Sequence, residues 1–207
     1  MKKIRAGVIG TGFIGPVHVE SVRRQTNAVV TAISDMNIEI AEAKAAELGV
    51  EKAYGDYREL LADPEVDVVH ICTPNNLHYQ IVKEALEAGK NVVCEKPLAL
   101  NVEEGKELCE LAAESGLVCA MHLNCRSYPM IQQIRRMVEN GDLGTIFAIN
   151  GSYQQDWLFK ETDYSWRLQK ELCGDTRAIA DIGTHWFDTI ESVTGLRTKK
   201  VCADFAT

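Results

Sequence analysis

Apolar positions in this chain follow two alternating rhythms. Residues 4–10, Ile-Arg-Ala-Gly-Val-Ile-Gly, form an apolar run closed by glycine, and Val17, Val19 and Val22 then recur in a helical pattern. That order predicts a strand, a glycine turn and a helix, and it repeats. Residues 28–34 are β-branched and strand-like, and 38–48 are alanine-rich and helical until Gly49 stops them. A short strand at 52–54 and a helix at 57–62 come next. Residues 66–72 make an apolar run suited to a strand covered on both faces. Residues 79–88 are helical, with Ile81, Val82, Ala85 and Leu86 apolar before Gly89. A strand at 91–94, a helix at 102–115 and a strand at 117–121 complete the series.

Strands alternating with helices through short connections imply a parallel sheet with helices on both faces, and right-handed crossovers make it doubly wound. The expected fold class is therefore α/β, with a Rossmann-type dinucleotide-binding domain over residues 1–123. The pattern changes over 124–207, where a helix at 130–140, a strand at 145–154, a polar aromatic loop, a helix at 179–194 and a strand at 199–206 are expected. In the last of these Val201, Ala203 and Phe205 alternate with Lys200, Cys202 and Asp204. Two strands make a marginal sheet in water, so this second domain is expected to need further residues or a partner.

Composition narrows the function classes. A content of 46% apolar and 25% charged residues is that of an ordinary globular chain. The net charge of -8, with no Lys/Arg run longer than two, argues against a general nucleic-acid binder. No apolar stretch approaches the roughly 18 residues that span a bilayer, and the first strand starts almost at Met1, so no membrane association and a cytoplasmic location are expected. The seven cysteines are odd in number and never spaced Cys-x-x-Cys, which reads as reduced core thiols and no metal site.

The candidate chemistry begins in the first turn. In Gly10-Thr11-Gly12-Phe13-Ile14-Gly15 one glycine suits a tight turn, one a close approach to pyrophosphate and one the packing of helix on strand, while the helix N-terminus faces the phosphates. Asp35 lies 20 residues beyond Gly15, where a carboxylate accepts both ribose hydroxyls of NAD. No Lys or Arg follows it before Lys44, so NAD is expected in preference to NADP. The other reading of Asp35 is a solvated turn residue. Thr73-Pro74-Asn75-Asn76-x-His78 follows a strand at the carboxyl end of the sheet, where ligands collect; either Asn75 and His78 touch cofactor or substrate, or an asparagine caps the next helix.

Lys96 closes the run Asn91–Cys94, between Glu95 and Pro97. An ammonium at the end of a core strand is costly to desolvate unless it is paired or loses its proton, so its presence points to proton handling during hydride transfer. Further on, Asp181-Ile-Gly-Thr-His185 places a carboxylate and an imidazole four apart, on one face of a helix, beside an apolar stripe of Ile182, Trp186, Ile190 and Val193. Such a pair suits alcohol oxidation, where a hydroxyl proton leaves as hydride departs. A helix-surface ion pair is the alternative.

Gly10-x-Gly12-x-x-Gly15-x-x-His18, Glu95-Lys96-Pro97, Asn124-x-Arg126, Trp166-Arg167 and Asp181-x-Gly183-x-His185 together resemble the Gfo/Idh/MocA oxidoreductase family. The resemblance implies a Rossmann domain followed by a C-terminal α/β domain with a mostly antiparallel sheet, of which this chain would hold only part. It implies that Lys96 binds the reacting oxygen, that His185 acts as acid/base and that Asp181 orients substrate or histidine. Glu95 and Asn124 would then reach the cofactor, Trp166 and Arg167 would reach the cofactor or substrate from the second domain, and Tyr153, Gln155 and Trp157 would belong to the substrate pocket. The expected activity is hydride transfer between NAD and a hydroxyl or carbonyl of a sugar, cyclitol or sugar derivative. A homo-oligomer assembled through the C-terminal sheet is also implied. Two other readings stay open: an NAD-retaining glycosidase of the same fold, and a non-catalytic dinucleotide-binding protein.

Overall fold

In the computed structural model, which describes residues 3–205, six parallel strands lie in the order β3-β2-β1-β4-β5-β6. They are β1 (Ile4–Ile9), β2 (Ala28–Ser34), β3 (Lys52–Tyr54), β4 (Val68–Ile71), β5 (Asn91–Glu95) and β6 (Cys119–His122). The chain winds outward from β1 to β3, then crosses back to lay β4 against the other side of β1. The carboxyl ends of β1 and β4 thus diverge at the switch point where such sheets bind ligands.

Helices α1 (Gly15–Arg23), α2 (Ile38–Leu48), α3 (Tyr57–Ala62), α4 (His78–Glu87) and α5 (Val102–Ser115) connect the strands. Their ends are written in the sequence. Asn37, Asp56 and Asn101 accept backbone N–H groups at the starts of α2, α3 and α5, and Gly49 and Gly116 end α2 and α5 with left-handed φ values of 62° and 67°. Two apolar clusters hold helices to strands. One gathers Leu60, Ile71, Ile81, Val82, Val92 and Leu108; the other gathers Val8, Val19, Val22, Ile33 and Ala45. Each fully buried aliphatic side chain contributes roughly 1.5–3 kcal/mol relative to exposure.

Strand β4 is shorter than the predicted run of 66–72. At its start the Asp67 carboxylate accepts from Arg5 at the backbone nitrogen (2.9 Å), Nε (3.0 Å) and Nη2 (2.7 Å), which ties the turn before β4 to β1.

The chain divides into two compact units. One runs to His122 and also takes in Ser165–Arg177; the other comprises Leu123–Tyr164 and the residues from Ala178 onward. In the second unit α6 (Pro129–Glu139) packs with α8 (Thr184–Thr194), and one π-helical turn, Ile179–Gly183, leads into α8.

Here the expectation of an antiparallel sheet is corrected: among the described residues no strand follows His122. Residues 145–154 and 199–205 have the composition of strands without a ladder, and residue 206 lies outside the described residues. A strand exists only through hydrogen bonds exchanged with a neighbour, and this unit offers little packing in their place. Of its described residues only Cys125, Ala180 and His185 are buried. No helix of the described residues is long and apolar enough to cross a membrane.

Candidate functional site

The turn between β1 and α1 is built by its glycines. Gly10 has φ +89°, and a Cβ there would meet the Cys72 backbone at 2.8 Å; a Cβ on Gly15 would come within 2.2 Å of the Gly10 carbonyl oxygen. Gly12 differs: nothing lies within 4 Å of a Cβ built on it. Two glycines are required by the fold, and the third borders open space. No side chain caps the start of α1, where Ile14 is the N-cap, so backbone N–H groups and the positive helix end face the turn. Phe13 is 88% exposed beside them. This arrangement fits an anionic group such as a pyrophosphate.

Asp35 follows β2 and binds the glycine turn directly. Its Oδ2 accepts from the Thr11 backbone N–H (2.8 Å) and from the Thr11 hydroxyl, while Oδ1 accepts from the Met36 N–H (2.7 Å). A carboxylate has about four acceptor positions and three are used here, so one remains for a ribose hydroxyl, and a second opens if the Thr11 hydroxyl turns away. The donor set therefore fits the adenosine end of a dinucleotide.

After β4, Thr73 and Pro74 lead into a single 3₁₀ turn, Asn75–Leu77, and then α4. No side chain caps either element, so neither asparagine acts as the helix cap considered from sequence. His78 is fully buried. Its Nδ1 lies 2.6 Å from the Pro97 carbonyl oxygen and its Nε2 lies 3.0 Å from that of Thr73, so the ring bridges the turn after β4 to the turn after β5. Burial pushes this imidazole's pKa down, against the pull of the two carbonyls.

Lys96 is half-buried, immediately past β5. Its neighbour Glu95 is buried and gathers polar contacts from three parts of the chain. Glu95 Oε1 accepts from His18 Nε2 (3.0 Å) and His122 Nδ1 (2.7 Å), and His18 Nδ1 lies 2.9 Å from His70 Nδ1. Burial would raise the Glu95 pKa, yet the hydrogen bonds from His122 and His18 hold it well below the usual carboxylate range. Burial, with His18 and His122 as neighbours, pushes His70 down to about 4. His18, Glu95 and His122 are the one group of three potential metal ligands among the described residues, with ligand atoms within 4.8 Å of one another. Their separations of 2.7 and 3.0 Å are those of hydrogen bonds, shorter than the roughly 3.3 Å between two ligands on a tetrahedral zinc.

The segment Ser165–Arg177 belongs to this same unit. Trp166–Leu168 form a short turn in which the Arg167 guanidinium lies 4.7 Å over the Trp166 ring. Cys173, in the short helix α7 (Lys170–Cys173), contacts the Arg167 carbonyl at 2.9 Å, and α7 packs against the Asn75–Leu77 turn. Trp166 and Arg167 are therefore brought to the unit that holds the glycine turn. Four cysteines, 72, 94, 125 and 173, are buried, and burial pushes the Cys72 and Cys94 thiols up, away from thiolate chemistry.

In the second unit, Asp181 lies within the π-helical turn and His185 in the first turn of α8. The wider turn alters the simple four-residue spacing expected from sequence, and such insertions are common at functional positions. His185 is buried and its ring stacks on Tyr153, with centroids 6.0 Å apart and planes 14° from parallel. Gln155 Nε2 donates to the Tyr153 hydroxyl (3.3 Å), Asn124 Nδ2 donates to the Tyr128 hydroxyl (3.2 Å), and Trp157 is 39% exposed. Arg126 forms a two-pronged ion pair with Asp188, with Nε 2.9 Å from Oδ2. Sequence reasoning passed over Asp188, although its place three residues after His185 signalled a shared helix face. It also passed over His70 and His122, which carry no local signal: only the pairing of β5 with β6 sets Glu95 beside His122.

Residues 4–123 match the family model described as "Oxidoreductase family, NAD-binding Rossmann fold", and residues 131–207 match the "GFO/IDH/MocA C-terminal domain". The chain belongs to the Gfo/Idh/MocA oxidoreductase family. Among its curated relatives, levoglucosan dehydrogenase of Pseudarthrobacter phenanthrenivorans is 34% identical over 204 residues, covering 94% of this chain and 52% of the relative. Myo-inositol 2-dehydrogenase of Thermotoga maritima is 37% identical over 141 residues, covering 68% of this chain and 42% of that protein. A solved levoglucosan dehydrogenase in complex with NADH and L-sorbose superimposes with a TM-score of 0.89 at 34% identity, over 93% of this chain and 53% of that one. The chain thus spans about half the length of the relatives it matches.

Proposed function

We propose that the protein is an NAD-dependent oxidoreductase acting on a CH–OH group of a sugar, cyclitol or related polyol. The observation that carries this reading is the placement of Lys96 just past β5, in the unit whose β1–α1 turn leaves open space at Gly12 and whose β2 ends at Asp35. Relatives named as levoglucosan, myo-inositol and D-glucoside dehydrogenases support it. NAD, when bound, supplies the hydride acceptor. The chain's own residues supply the rest: the N-terminus of α1 holds the pyrophosphate, and Asp35 takes the ribose hydroxyls and disfavours the additional phosphate of NADP. Phe13, Ile14, Thr73, Pro74, Asn75, Glu95, Asn124, Trp166 and Arg167 complete the cofactor contacts, with His78 set between the Thr73 and Pro97 carbonyls.

In this reading Lys96 binds the reacting oxygen and lowers the cost of removing its proton, His185 takes that proton, and Asp181 orients the imidazole or the substrate. Tyr153, Gln155 and Trp157 line the polyol. We also propose that copies of the complete protein associate through the second unit, whose exposed Phe147, Phe159 and Phe187 suit an interface.

Two measurements test the reading. Titration with NADH and with NADPH, followed by nicotinamide fluorescence, is expected to show saturable binding with NADH preferred. A polyol panel including levoglucosan and myo-inositol, read as NADH formation, is expected to give turnover that Lys96→Ala lowers by about 10² or more with NADH affinity little changed. A folded chain that binds neither nucleotide overturns the oxidoreductase reading, and equal turnover in the variant removes Lys96 from it.

A further inference from the structure

Three of the five histidines contact the tripeptide Glu95-Lys96-Pro97 and a fourth, His70, backs one of them, although none of the four is adjacent to it in sequence. They come from four elements. His18 is on α1, His70 on β4, His78 at the start of α4 and His122 at the end of β6.

On the N-terminal side of Lys96, His18 and His122 both donate to Oε1 of Glu95, at 3.0 and 2.7 Å. The other oxygen of that carboxylate, Oε2, accepts the backbone N–H of Lys96 at 3.3 Å. On the C-terminal side, the carbonyl of Pro97 accepts from Nδ1 of the neutral His78 ring at 2.6 Å, and the other ring nitrogen lies 3.0 Å from the Thr73 carbonyl. The two ends of the tripeptide are therefore tied to α1, β6 and α4 by side-chain hydrogen bonds.

From this geometry we infer that His18, His122 and His78 are positioning residues for Lys96. They fix the main chain on both sides of it, so that its ammonium is presented from a turn that does not drift. The inference rests on the proposed role of Lys96 as the group at the reacting oxygen. The physical reasoning is short. A residue just past a strand end has lost the ladder that fixes the strand, and a catalytic group displaced by about 1 Å can cost on the order of 10² in rate. Glu95 replaces the missing ladder bond at Lys96, and a carboxylate does so well only if it cannot rotate. Two imidazole donors on Oε1 remove that rotation. His70 completes the arrangement: its contact with His18 Nδ1 occupies the second ring nitrogen and fixes the orientation of the His18 ring.

His122 is the residue to change, because its side chain is 36% exposed and the sheet tolerates its truncation better than that of His18 or Glu95. In His122→Ala the donor is lost; in His122→Asn an amide N–H₂ stands close to where Nδ1 stood. Hydrogen exchange of the peptide containing Lys96, read by mass spectrometry on the whole chain, needs no substrate. Exchange there is expected to rise about tenfold or more in His122→Ala, with β1, β2 and α2 unchanged, and to return near the wild-type rate in His122→Asn. With any polyol that the wild type oxidises, kcat is expected to fall about tenfold or more in the alanine variant while the NADH dissociation constant stays within threefold, and the asparagine variant is expected to recover most of it.

Unchanged exchange at Lys96 in His122→Ala overturns the clamp. So does a rise spread evenly over the sheet, or a kcat loss that asparagine does not relieve. If the wild type oxidises no polyol, the dehydrogenase reading fails on its own and the exchange experiment still decides whether histidines hold this turn.

Discussion

His70 shows what one residue can reveal about the nucleotide-binding unit. Its ring is held in a partly buried contact with His18, and burial pushes its pKa from 6.5 down to about 4. Below about pH 6.5 the unfolded chain takes up a proton that the folded chain refuses until about pH 4. The unit is therefore fully stabilised by the neutral ring above pH 6.5 and loses that stabilisation as the pH falls toward 4, on the order of 3 kcal/mol in total. Glu95 and Asp63, whose carboxyls are likewise held below their ordinary values, also contribute stability that is lost as the pH falls, but only below the ordinary carboxylate range. Buried His78 adds to the slope in the same direction as His70. The melting temperature is thus expected to fall between about pH 6.5 and 4.5, and His70→Asn, which keeps a donor but does not titrate, is expected to fall less steeply. Equal slopes for the two proteins would remove His70 as the cause. Nothing in the sequence marks this residue. It is one of two polar positions, with Asp67, in the otherwise apolar run 66–72, and its partner lies 52 residues away. Lys96 and Asp35, by contrast, were legible because a charge at the end of an apolar strand is conspicuous without any knowledge of its neighbours.

At the scale of elements, the β1–α1 turn separates what the fold needs from what a ligand needs. Gly15 admits no side chain, because a Cβ would lie 2.2 Å from backbone oxygen. Gly15→Ala is accordingly expected to cost several kcal/mol or to prevent folding. Gly12 has no neighbour within 4 Å of such an atom, so Gly12→Ala is expected to leave stability within about 1 kcal/mol of wild type. The same methyl group stands in the space that close approach of a pyrophosphate requires, and NADH binding is expected to weaken by about tenfold or more. Thermal melts paired with nucleotide titrations check both statements; a Gly12→Ala protein that binds NADH like wild type would locate the phosphates elsewhere. This turn was readable from sequence because strand, glycines and helix are contiguous. The strands expected at 145–154 and 199–206 were not readable in the same way. Their alternating composition describes a face to be buried, but the hydrogen-bonding partner that makes a strand is not a property of the segment itself.

The whole molecule is uneven in how much it buries. The unit that runs to His122 has two apolar clusters on its sheet, whereas the described part of the other buries Cys125, Ala180 and His185 and leaves Phe147, Phe159, Phe187 and Phe205 exposed. Local opening free energy follows buried apolar contact, so the two units are expected to open very differently. The segment Ser165–Arg177 complicates a simple cut at one chain position, since it packs with the first unit while both of its flanks belong to the second. Sequence periodicity could not assign it: a tripeptide turn, a four-residue helix and a glycine carry no period long enough to read. Limited proteolysis at low enzyme ratio is therefore expected to cut first within residues 140–164, where the chain lacks regular structure, and next beyond Thr194. Peptides from β1 to β6 should survive longest, and longer still with NADH present, because a ligand that binds only the folded unit lowers the population of its open forms. First cuts inside residues 3–122, identified by mass spectrometry, would show that the nucleotide-binding unit is not the stable part, and the dependence of its survival on NADH would then lose its physical basis.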